Sequence, residues 1–138
     1  MTVETLQPPL IAPGLMEIRG DDVSLIGGVC RACGAHSFPR AQVCTECLEE
    51  QIEAVHLPSS GKLYSYSVIH QAPKGWRTPF TLGYVDLVDG TRILAHITGP
   101  VERLKIDGEM RLSAAIVADR DGSEVQSYVF TPIDGERP

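Results

Sequence analysis

Cys30-Arg31-Ala32-Cys33-Gly34 and Cys44-Thr45-Glu46-Cys47 hold all four cysteines of this 138-residue chain. A C-x-x-C turn points both sulfurs to one side. Two such turns facing each other set four thiolates at the corners of a tetrahedron, the geometry Zn²⁺ takes in closed structural sites, with Zn–S of about 2.3 Å. Gly34 fits this pattern, because the chain leaves such a knuckle through a turn that favours positive φ. Cys30, Cys33, Cys44 and Cys47 are therefore the expected ligands, and a structural, tetrathiolate Zn²⁺ is the expected cofactor.

Other uses of the cysteines weigh less. Disulfides need an oxidising compartment, and residues 1–24 show neither the basic nor the apolar run of an export leader, so the expected location is the cytoplasm. A redox C-x-x-C stands alone beside a βαβ pattern, which this chain lacks. Iron in a tetrathiolate site is chemically compatible, since soft thiolates hold either metal. His36 is close enough to replace one sulfur but reads as a surface side chain.

Outward from the cysteines, the chain divides into three parts: residues 1–24, 25–57 and 58–138. The first is broken by Pro8, Pro9, Pro13, Gly14 and Gly20, which prevents a continuous helix. Its Leu10, Ile11, Leu15, Met16 and Ile18 are too apolar for a plain solvated tail. It reads equally as a strap over the chain's own core or as an arm for docking on a partner. The second part is the metal module, a rubredoxin-like zinc ribbon. Leu25–Val29 reads as a strand into the first knuckle, residues 37–40 as a returning rung, and Ile52–Leu57 as a strand leaving the second. Some thirty residues cannot bury a sufficient core, so the metal must supply folding energy.

From Gly61 onward the period changes to that of strands. Leu63–His70 alternates, which predicts Tyr64, Tyr66, Val68 and His70 on one face. Thr81–Val88 and Thr91–Thr98 are separated by Asp89-Gly90, a type I′ hairpin signal. Residues 101–106 read as one helical turn. Met110–Ala118 and Glu124–Thr131 follow, joined by the turn at 120–123, with Tyr128 and Phe130 sharing a face. Five strands with a short link after the third match a mostly β, five-stranded OB-fold barrel. An SH3-like barrel and an open sandwich are the alternatives.

Charge narrows the function. The chain carries a net −6, divided as −3 over residues 1–29 (one basic, four acidic), −2 over 30–56 (two and four) and −1 over 57–138 (nine and ten). A binder of phosphate backbones needs a basic excess, and aromatic residues for stacking make up only 6%. Single-stranded nucleic-acid binding, which OB barrels serve elsewhere, and rubredoxin-like electron transfer are therefore competing readings. No run approaches the roughly 18–20 apolar residues of a membrane span.

Catalysis needs a nucleophile, an acid/base group or an open metal position. The metal takes every thiol, a tetrathiolate leaves no position for water, and there is no G-x-S-x-G or H-E-x-x-H. His70 and His96, expected as near neighbours on the barrel, read as packing groups. The loop Gln71-Ala72-Pro73-Lys74-Gly75-Trp76-Arg77-Thr78-Pro79-Phe80 is the most unusual segment. It reads either as a loop whose Trp76 tucks under its own strand ends or as a contact surface. Trp76 and Phe80 are the interface candidates there, with Phe38 on the ribbon. Lys74 and Arg77 are candidates for contact with CoA phosphates or a partner.

The order of these segments resembles one family: the zinc-ribbon/OB-fold proteins associated with acyl-CoA enzymes, long described as a domain of unknown function. The matching stretches are residues 25–34, Phe38-Pro39-Arg40, Cys44–Cys47, Ser60–Ile69, Phe80–Leu87 and Arg92–His96, within a resemblance covering about residues 25–131. It implies a non-catalytic accessory subunit in a hetero-oligomer with a thiolase-superfamily or related acyl-CoA enzyme, supporting the partner's activity and helping shape its CoA or acyl-CoA site. Many members begin with an amphipathic helix, whereas residues 1–24 here are broken by proline.

Overall fold

Residues 13–20 and 22–133 are described by the structure, a computed structural model. Among them nine strands form two sheets. The ribbon sheet contains β1 (Met16–Arg19), β2 (Asp22–Cys30), β3 (His36–Ser37) and β4 (Ile52–His56). β2 is its spine, pairing with β1 through its first half and with β3 and β4 through its second. Of the proposed strap at 1–24, residues 1–12 and 21 lie outside the described residues. The remainder is a 3₁₀ turn (Pro13–Leu15) and β1, a hairpin arm on β2, with Met16 2% exposed in the core.

Gly27 and Gly28 let β3 and β4 close on β2. A Cβ on Gly27 would stand 2.5 Å from the Ser37 carbonyl oxygen and 2.9 Å from Leu57 Cδ1, and one on Gly28 would stand 2.6 Å from Ile52 Cγ2. The obstacle at Gly27 is backbone, which cannot step aside as a side chain can.

β5 (Ser60–Ile69), β6 (Phe80–Leu87), β7 (Arg92–Ile97), β8 (Glu109–Arg120) and β9 (Ser123–Pro132) close a barrel in the order β5-β6-β7-β9-β8. β7 and β9 run parallel, and a 3₁₀ turn at Val101–Arg103 separates β7 from β8. This is the Greek-key arrangement of an OB fold. No helix among the described residues is long and apolar enough to cross a membrane.

Two local expectations are corrected. A bulge between Leu63 and Ser65 resets the alternation of β5, because an extra residue shifts every later side chain to the other face. Tyr64 is half exposed, with the Arg92 guanidinium carbon 3.7 Å above its ring, while Tyr66 packs on the core. Asp89-Gly90 is not a type I′ turn. Gly90 has φ +95° but Asp89 is not left-handed, and the Gly90 N–H donates to the Leu87 carbonyl (2.9 Å). That makes a three-residue loop with Gly90 as its left-handed residue. The two-residue turn with both φ positive is instead Asp121 (+52°) and Gly122 (+81°), between β8 and β9.

The two modules share one core. Leu25 and Leu57 of the ribbon lie in the same buried cluster as Leu63, Val85, Ile93 and Phe130 of the barrel. Phe38 meets Tyr128 edge-on at 5.5 Å between ring centres. Burying side chains of this size stabilises by about 1.5–3 kcal/mol each, so ribbon and barrel fold as a unit. Gly27→Ala is expected to destabilise the zinc-loaded protein by about 1–3 kcal/mol, measured by urea unfolding followed by circular dichroism. Wild-type stability would show that β3 is free to move away.

Candidate metal centre and the loop at 71–80

The two knuckles have the same construction. In the first, the Gly34 N–H donates to the Cys30 carbonyl (2.8 Å) and the Cys30 N–H to the Ala35 carbonyl (2.8 Å). In the second, the Leu48 N–H donates to the Cys44 carbonyl (2.9 Å) and the Cys44 N–H to the Glu49 carbonyl (2.8 Å). The residue after each C-x-x-C is left-handed, with φ +83° at Gly34 and +67° at Leu48. Glycine takes that conformation without a Cβ penalty and leucine does not. The cysteine spacing pointed to this turn, and Leu48 follows Cys47 as Gly34 follows Cys33; only the coordinates reveal that Leu48 takes the same left-handed backbone.

The knuckles bring all four sulfurs within 4.8 Å of one another. The Cys30–Cys47 and Cys33–Cys44 pairs are each 3.6 Å apart. A disulfide would need about 2.05 Å, whereas a zinc tetrahedron with bonds of about 2.3 Å has edges of about 3.8 Å. The donor set and its spacing therefore fit a closed tetrathiolate. Backbone N–H groups of Cys47 and Glu46 pull the Cys44 thiol down to about 7. At Cys47 the Glu49 N–H works in the same direction, but burial and the neighbouring thiols outweigh it and push that thiol up to about 12. Four thiols this close share protons unevenly, and a divalent cation replaces those protons. His36 stays out of the cluster, 3.9 Å from Asp89 at the β6–β7 loop.

The loop at 71–80 folds back onto the barrel. Trp76 bridges Ala118 and packs on Val117, Ala118 and Val129. His96 stacks on both Trp76 (5.5 Å) and Phe80 (4.5 Å), whose own rings are 6.1 Å apart, and His70 is exposed just after β5. Burial lowers the His96 pKa, and its Nε2 is buried without a hydrogen-bond partner among the described residues.

Arg77 is engaged within the chain. Its Nε and an Nη hold Asp119 at 2.8 and 2.9 Å, and the same Nη holds Glu124 at 3.0 Å. With two carboxylates on one guanidinium, Arg77 anchors the loop to β8 and β9, while Lys74 is exposed. Phe38, expected at an interface with a partner, is half-buried and meets Tyr128 edge-on within the chain. The pairings made by Asp119, Glu124 and Tyr128 escaped sequence reading because their partners lie between 42 and 90 residues away in the chain.

Cys44→Ser is expected to abolish zinc retention and open residues 31–51 to protease, measured by metal analysis and limited proteolysis, while Trp76 emission holds. For the clamp, the hydrogen bond from Arg77 depresses the Asp119 pKa despite partial desolvation. A depressed carboxylate contributes fully above its unfolded value, about 3.9, and the contribution is lost as pH falls through the lower folded value. Trp76, the only tryptophan, should therefore shift to the red below about pH 3.9. Asp119→Asn should produce part of that shift at neutral pH. Unchanged emission in both experiments would show that packing alone seats the loop.

Residues 20–53 match the family model described as the ChsH2 rubredoxin-like zinc ribbon domain, and residues 54–115 match the ChsH2 C-terminal OB-fold domain. The benzoylsuccinyl-CoA thiolase subunit BbsA of Thauera aromatica is 37% identical over 124 residues, 88% of this chain and 86% of that one. A DUF35 domain-containing scaffold protein of Methanocaldococcus jannaschii is 30% identical over 127 residues, 80% and 82% of the two chains. A solved structure described as an Ltp2-ChsH2(DUF35) aldolase superposes with a TM-score of 0.64 at 24% identity, over 79% of this chain and 84% of that chain; at that identity it speaks for the fold. With both modules matched in order and the four sulfurs set for zinc, the chain belongs to the ChsH2-type zinc-ribbon/OB-fold (DUF35) family.

Proposed function

We propose that this protein is a non-catalytic accessory subunit of a thiolase-superfamily complex, stabilising its partner and helping to form the partner's CoA or acyl-CoA site. The observation that carries this reading is the closed four-sulfur cluster. Acyl transfer from a thioester calls for an activated nucleophile with a base beside it, and here every thiol belongs to one tetrahedral site. The chemistry is then the partner's. Likeness to a thiolase subunit across both modules supports the same reading.

In this reading the loop at 71–80 is a contact surface on a rigid base. Trp76 and Arg77 fix it to the barrel, and exposed Lys74 is the residue offered to a CoA phosphate or to an acidic group of the partner. The negative net charge of the chain disfavours the nucleic-acid alternative.

Affinity-tagged protein is expected to recover a thiolase-superfamily subunit at fixed ratio, and that subunit assayed alone should lose most of its acyl-CoA activity. Full activity of the isolated partner would overturn the proposal. So would tight binding of a single-stranded oligonucleotide with steep salt dependence, which favours the alternative.

A further inference from the structure

The two knuckles share one backbone but not one surface. After the first, the left-handed position holds Gly34. After the second it holds Leu48, with φ +67° and a side chain 74% exposed. Exposure alone is ordinary for an apolar residue: Val88 is equally exposed, but it sits in a turn without left-handed strain. Leu48 combines a disfavoured backbone with an apolar side chain held in water, so the isolated chain gains from neither. Val43, 44% exposed, directly precedes Cys44, whose two backbone hydrogen bonds to Leu48 and Glu49 close the same turn.

The chemistry around this pair points to its counterpart. Glu46, Glu49 and Glu50 lie within two residues of Leu48 in the chain, all exposed, and none is ion-paired among the described residues. The nearby cations are engaged elsewhere, Arg31 with Glu53 (3.4 Å) and Arg40 with the Ile52 carbonyl (2.7 Å). An apolar knob inside an acidic border fits an apolar pocket edged by Lys and Arg, with the knob supplying affinity and the border supplying steering.

We propose that the second knuckle is a plug, with Leu48 and Val43 seated in an apolar, basic-rimmed pocket of the thiolase-type partner subunit. This rests on the function proposed above. It assigns the docking contact to the ribbon tip, on residues that do not touch the barrel core.

The test uses the full chain loaded with zinc and, as probe, the thiolase-superfamily subunit that co-purifies with the wild type. Leu48→Gly is expected to keep its zinc and to melt at or above the wild-type temperature, because glycine relieves the strain. It should nevertheless weaken the complex at least about tenfold in Kd. Leu48→Asn, which tolerates the left-handed backbone but is polar, should weaken it equally, and Leu48→Met should retain binding. Glu49→Lys with Glu50→Lys should slow association and flatten its salt dependence. Wild-type affinity in Leu48→Gly would overturn the proposal. Loss of zinc in both Leu48→Gly and Leu48→Asn would also overturn it, since Leu48 would then be structural. Unchanged salt dependence would remove the basic rim. If the wild type binds no such subunit, the proposed function falls together with the plug; if wild type and Leu48→Gly bind alike, only the plug falls.

Discussion

Four sulfurs within 4.8 Å of one another are the constraint on which the ribbon depends. The segment between Cys30 and Ile52 contributes little buried apolar surface beyond Cys30, Cys44 and Ile52. A cluster that small cannot offset the conformational entropy of twenty ordered residues, each worth about 1–2 kcal/mol, so the energy must come from metal–thiolate bonds. The knuckle hydrogen bonds then act as jigs. They hold the sulfurs of each pair on one side of its turn, where the residue after the pair has positive φ.

The ribbon would still be a loose appendage without its second support. Leu25 and Leu57 enter the barrel's own core, Met16 joins them from β1, and Phe38 meets Tyr128. Zinc thus fixes the tip of the ribbon while apolar packing fixes its base. The knuckle tip and the loop at 71–80 are thus carried on modules that share one buried core.

Much of this was legible in the sequence. The cysteine spacing predicts the ligands and the knuckles, and the alternation of residues 60–131 predicts five barrel strands in the right order. Periodicity failed where single residues break it. The bulge at Tyr64 moves Tyr66 to the inner face, which no count of alternating residues anticipates. Asp89-Gly90 and Asp121-Gly122 are the same dipeptide, yet only the latter is the two-residue turn. The outcome depends on strand register, because Leu87 pairs past the dipeptide to Thr91.

The roles of individual side chains were the least legible. Arg77 reads as a free cation until Asp119 and Glu124 are brought to it from 42 and 47 residues away. Phe38 reads only as an interface candidate, and its edge-on contact with Tyr128 is invisible in the sequence. By itself the sequence determined the four sulfur ligands and the five barrel strands, since both follow from local spacing: the reach of a C-x-x-C turn and the two-residue period of a strand. The strand β1, in a segment broken by proline and glycine, was not among them. Only the tertiary structure decided which charges are spent, which rings are internal and which apolar residue remains strained and exposed. Those outcomes depend on long-range contacts, and a long-range contact exists only once barrel and ribbon have closed on each other.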